Sequence, residues 1–173
     1  MFTPELESWI RKAITEVSES GIDPETDDNG GLRVGLLVPV DDEGEEQSFW
    51  VTFTQNAPDY YGDNPPPDVD IQEYLVISWW VPSEEFGSAD PRSNANVYSV
   101  LDSFSQEPGV KCRLDFDEES SESEVFVVFE ADVPIDSIDR YGVVSLALDR
   151  LIEFVVNNFS VIRTNIEVRS AQS

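Results

Sequence analysis

The chain has 173 residues, with 36 acidic and 10 basic side chains and a net charge of −26. Its 40% apolar and 11% aromatic content suffices for a core without metal or disulfide staples and exceeds that of a disordered chain. The charge argues against nucleic acid and anionic membrane as partners, because phosphate contacts need Lys and Arg. It leaves cations, water and basic or apolar protein segments.

The first element reads as a helix. Thr3 suits an N-cap and Pro4 the first helical position. Phe2, Leu6, Trp9, Ile10, Ala13 and Val17 follow at helical spacing, and Gly21 is placed to end the helix. Asp23 to Gly31 is polar and turn-rich and reads as a loop. Leu32, Val34, Leu36 and Val38 then alternate, as do Phe49, Val51 and Phe53 after an acidic turn at 41–46. This pattern is a β-hairpin. A Pro-rich loop at 56–70 carries Tyr60, Tyr61 and Pro65-Pro66-Pro67.

Glu73 to Val81 predicts a third strand that is apolar on both faces. Tyr74, Val76, Ser78 and Trp80 share one face, and Leu75, Ile77, Trp79 and Val81 the other. Such a strand is central in its sheet, or its second face meets another chain. Ser93 or Asn94 can cap a short helix with the stripe Val97, Val100, Leu101 and Phe104, which Pro108-Gly109 stops. A second hairpin pairs Val110 to Phe116 with Val125 to Glu130 across an acidic turn. The last helix is predicted from Asp136 or Ser137, with Ile138, Tyr141, Val144, Leu148, Leu151, Ile152 and Val155 on its apolar face.

The fold class that follows is α+β, an antiparallel sheet of about five strands with flanking helices in the order α-βββ-α-ββ-α. Residues 1–160 are expected to form a single domain, and 161–173 a partly frayed C-terminal extension. No fixed-period repeat is present. Lys12 and Lys111 are the only lysines, and there is no histidine. This bias resembles that of proteins from salt-loving or marine organisms, where salt screens the self-repulsion of so many acids. Met1-Phe2-Thr3-Pro4-Glu5 has neither the basic start nor the apolar run of a signal peptide, so a cytoplasmic location is expected.

Catalytic classes fall away by residue type. Without histidine there is no Ser-His or Cys-His pair. Cys112, the one cysteine, falls on the apolar face of its strand and reads as a small buried hydrophobe. One Cys and no His argue against zinc. Asp23, Glu25 and Asp27 begin like a calcium loop but meet Asp28 at the glycine position and Val34 at the last ligand. Asp115, Asp117 and Glu119 fail the same way, at Ser120 and Phe126. Neither a metal nor another cofactor is expected. Paired carboxylates could serve a hydrolase, but 36 acids make chance pairs abundant.

The element order resembles the type III secretion chaperone-like fold, in particular its YbjN-type branch. The residues that carry the resemblance are Ser93-Asn94-Ala95-Asn96 leading into the Val97 to Phe104 helix and the strand Val110 to Phe116. The strand Val125 to Ala131, the Val133-Pro134 turn and the closing amphipathic helix complete it. It extends from Met1 to about Asn158, and the long Pro-rich insert departs from the pattern. The resemblance implies a non-enzymatic, dimeric binder of an extended segment of a partner protein, and it implies no catalytic residues. Tyr74, Val76 and Trp80 are the candidate partner or dimer contacts, because large aromatics anchor interfaces. Tyr60 and Tyr61, in the Pro-rich loop, are candidates for polyproline-type recognition. The alternatives are a structural or regulatory subunit of a larger complex and, more distantly, a carboxylate-based hydrolase.

Overall fold

The computed structural model describes residues 2–17, 24–26, 30–39, 46–56, 73–86, 95–105, 109–116 and 125–171. Helix α1 spans Pro4–Val17. It starts where the cap residues predict: the Leu6 N–H donates to Thr3 Oγ1 at 3.2 Å, which satisfies one of the donors that a helix start leaves unpaired. Strands β1 (Glu25–Thr26), β2 (Leu32–Pro39), β3 (Glu46–Asn56) and β4 (Tyr74–Pro82) follow. A 3-10 turn over Ser83–Phe86 and helix α2 (Ala95–Phe104) lead to β5 (Lys111–Phe116) and β6 (Val125–Pro134). A 3-10 turn over Ile135–Ser137 precedes α3 (Tyr141–Ala171).

The strands form one antiparallel sheet in the order β1-β2-β3-β4-β6-β5. The α+β class and the two hairpins agree with the sequence reading, while the strand count is six. The extra strand is β1, inside the stretch read as a loop. Only Glu25 and Thr26 pair there, with Arg33 and Leu32, and two residues are too few to show an alternation. Gly30, just before β2, has a φ of +80°, a conformation that costs glycine little.

The helices share one face of the sheet: α3 packs on β4 and β6, α2 on β5, and α1 and α2 against α3. The core lies between the layers. Val51 and Phe53, then Leu75, Ile77, Trp79 and Val81, then Val127 and Phe129 come from the sheet. Ile10, Ile14, Val100, Leu101, Leu148 and Leu151 come from the helices. Strand β4 is central, as its two apolar faces predict.

The C-terminal expectation is corrected. Residues 161–171, expected within a partly frayed extension, belong to α3, which continues to Ala171. Its buried line Val144, Leu148, Leu151, Val155, Phe159, Ile162 and Ile166 keeps helical spacing throughout. Phe159 packs against Phe86 with tilted rings whose centroids lie 4.8 Å apart, which ties this half of the helix to the turn after β4. The predicted helix start at Asp136 or Ser137 is also corrected. The Ser137 hydroxyl donates to the Pro134 carbonyl at 2.7 Å, serving the 3-10 turn, and the α-helix begins at Tyr141. Among the described residues, no helix is long and apolar enough to cross a membrane.

Candidate functional site

Side chains alternate along a strand, so the residues of β4 that avoid the helices emerge on the far side of the sheet. Tyr74, Val76, Ser78 and Trp80 lie there together, as the sequence predicts. Cross-strand register adds their neighbours. Trp50 of β3 and Val128 of β6 flank Trp80, and Arg113 of β5 lies beyond Val128. One row of the sheet therefore reads Gly35, Trp50, Trp80, Val128, Arg113.

The aromatic side chains are held by specific contacts. Trp80 Nε1–H donates to Thr52 Oγ1 at 3.1 Å. Phe126 meets the Trp80 ring edge-on, with centroids 5.8 Å apart and planes at 77°, a favoured aromatic arrangement. The Arg113 guanidinium sits 5.6 Å from the Trp80 ring centre, and that of Arg33 lies 3.7 Å from the Trp50 ring centre. Beneath this layer Val128 is fully covered and Val76 is buried. Trp50 remains 44% exposed. Tyr74 and Trp80 are half-buried, and neither belongs to the core cluster. Trp79, by contrast, lies wholly within the core.

A polar ladder runs beside the aromatics. The Ser78 hydroxyl and Arg113 Nη2 both donate to Glu130 Oε2, each at 3.1 Å. Arg113 also pairs with Asp115, and Lys111 with Asp132. Burial works against the Arg113 charge, but the hydrogen bonds and charges of Asp115 and Glu130 outweigh it and hold its pKa above the ordinary arginine range. Among the described side chains of this face, Arg33, Lys111 and Arg113 stand against Glu25, Asp115, Glu130 and Asp132. Three bases against four acids is close to balance in a chain whose totals are 10 and 36.

Cys112 faces the core from β5 and is buried. Burial pushes its thiol from the ordinary 9.0 up to about 12, against a smaller opposing effect of the Ser105 hydrogen bond. The thiol stays protonated at neutral pH and is a poor nucleophile there. Among the described residues, no group of three His, Cys, Asp or Glu side chains is placed to hold a metal ion. Asp23 and Asp27, like Asp117 and Glu119, lie outside the described residues, as do Tyr60 and Tyr61.

Sequence reasoning found the β4 members of this face and missed Phe126, Val128, Arg113 and Glu130. The signal was present, since β6 is also apolar at successive positions, but only the strand order places β6 beside β4. Comparisons with protein-family models, with curated proteins and with solved structures find no match to the chain.

Proposed function

We propose that this chain is a non-enzymatic, chaperone-like protein-binding module that holds an apolar or basic segment of a partner protein, as a dimer, on the helix-free face of its sheet. The observation that carries the reading is the composition of that face. A sheet face that serves only to meet water is polar, and this one presents Trp50, Trp80, Phe126 and Tyr74 with nearly balanced charge. A face with little net charge lets a partner approach where the rest of the surface of a −26 chain would repel an acidic one. The chain's overall field draws in basic segments. The resemblance of the element order to secretion chaperone-like proteins supports the same reading.

The test replaces Tyr74 and Trp80 together by alanine, with Trp50→Ala as a third change. Both Tyr74 and Trp80 stand outside the core cluster, so the variant keeps a cooperative thermal transition. It loses dimer formation in sedimentation equilibrium and partner capture from native lysate at native salt. A folded variant that still dimerises and captures the same proteins refutes the assignment of this face. A variant that unfolds shows that the side chains serve the fold instead.

A further inference from the structure

Strand β5 is the last of the sheet, so one of its edges has no neighbouring strand among the described residues. Contacts with Ser105 identify which of its backbone groups face away from β6. The Cys112 N–H donates to Ser105 Oγ at 2.7 Å. The Ser105 hydroxyl lies 2.7 Å from the Cys112 carbonyl and 3.1 Å from that of Leu101, either of which accepts its proton. Groups directed at Ser105 cannot also reach β6, so Cys112 turns its N–H and C=O out of the sheet. Outward and inward residues alternate in an antiparallel ladder, and the β5–β6 register runs unbroken from Lys111 to Phe116. Leu114 and Phe116 therefore turn outward as well. Ser105 covers the groups at Cys112, and no described residue bonds those at Leu114. Beside them a groove of about 520 Å³ lies between α2 and β5, with Leu101, Cys112 and Leu114 among its lining and Tyr98 and Asp102 on its α2 side.

We propose that this groove receives an extended, basic segment of another protein, which adds to the edge of β5 as a further strand. The inference rests on the reading of the chain as a protein-binding module and adds a site separate from the helix-free face. The segment's backbone pairs with the outward N–H and C=O of Leu114, and one apolar side chain enters the groove against Leu101 and Leu114. Backbone pairing supplies affinity and the groove supplies selectivity. Charge selects the occupant. Asp102 is exposed on the groove, while the nearby bases are already engaged, Lys111 by Asp132 and Arg113 by Asp115 and Glu130. A basic segment thus meets a carboxylate that no described base pairs, within an acidic chain. A second copy of β5 fits poorly: pairing symmetric about Leu114 sets the copy's Phe116 against Cys112, where Ser105 already holds the backbone groups.

The probe is a short fluorescent peptide of alternating valine and lysine, compared with the same peptide methylated on alternate backbone nitrogens. Saturable binding is expected at moderate salt, with hydrogen exchange at the Leu114 amide slowed at least about tenfold in the complex. Asp102→Lys weakens binding at least about tenfold and Trp50→Ala leaves it unchanged. Equal binding of the methylated peptide overturns the proposal, as does the absence of saturable binding or an unchanged Leu114 amide. Loss of binding in Trp50→Ala but not in Asp102→Lys overturns it while leaving the helix-free face as the binding surface. Dimerisation that Asp102→Lys abolishes assigns the edge to a second copy and overturns the proposed occupant.

Discussion

Ile162→Ala measures how firmly the second half of α3 belongs to the core. Ile162 is fully buried, whereas its neighbour Val161 is 48% exposed. The substitution removes the γ- and δ-carbons, each worth about 0.8 kcal/mol on burial. Their loss costs about 2.4 kcal/mol, and the cavity left between α3 and its neighbours raises this to roughly 3–4 kcal/mol. That is a large part of the ~5–15 kcal/mol that stabilises an ordinary domain. Urea unfolding reads it directly: with a slope of about 2 kcal/mol/M, the midpoint falls by roughly 1.5–2 M at unchanged slope. Val161→Ala, on the exposed side, stays within about 0.5 kcal/mol of the parent. If the two variants shift the midpoint equally little, this half of the helix contributes nothing to the core. Ile166→Ala, one turn further on and also buried, locates any fraying, since a cost at Ile162 without one at Ile166 places the effective helix end between them.

Ser105→Ala removes the partner of the Cys112 N–H and C=O, at a cost of about 1–3 kcal/mol in thermal unfolding; a loss below about 0.5 kcal/mol would mean that water replaces the hydroxyl at no penalty. The raised Cys112 pKa gives a signed pH dependence. Up to pH 9 the folded and unfolded thiols are both largely protonated; between 9 and about 12 the unfolded chain alone loses the proton. The thiol therefore makes stability fall with rising pH in that window by up to about 1.4 kcal/mol per pH unit, a contribution that Cys112→Ala removes. Equal slopes in the two proteins would contradict the assignment. The melting temperature rises steeply from dilute buffer to molar KCl, because the Debye length shrinks from about 10 Å at 0.1 M to about 3 Å at 1 M and self-repulsion shrinks with it. A flat response would show that the net charge of −26 does not limit stability.

Where local chemistry and packing agree, the sequence is readable. Thr3-Pro4 starts α1, alternation marks β2, β3 and β5, and the doubly apolar run at 74–81 marks an interior strand. The failures share a different cause. After Leu151 the helix passes through Asn157-Asn158 and a run rich in β-branched residues, Val161, Ile162, Thr164 and Ile166, all weak helix formers. Local propensity argues for an end there, but the continuous buried line to Ile166 prevails. Strand β1 exists only because β2 offers it an edge. The helix-free face was legible at Tyr74, Val76 and Trp80, which share a strand. Its remaining members come from β3, β5 and β6, and strand order is a long-range property that no local pattern records. The β5 groove is less legible still, since it depends on which backbone groups of an edge strand face away from β6, and that register is set by pairing with a distant strand.

The two proposed binding surfaces differ in physical character, and salt would separate them. The helix-free face is nearly charge-balanced, with Val76 and Val128 beneath a layer of rings and guanidinium groups. Association there draws on apolar and aromatic burial, which salt leaves intact or strengthens. The segment proposed for the β5 groove would be attracted through Asp102 and the field of an acidic chain, and screening at molar salt would remove most of that attraction while leaving backbone pairing. In a concentrated salt medium the face is the persistent contact and the groove the conditional one. In dilute solution the order reverses, because self-repulsion between two chains of −26 opposes the dimer while the same charge draws basic segments to β5. If both proposed surfaces bind as argued, falling ionic strength weakens contacts on the face and strengthens those at β5, without any change in the fold.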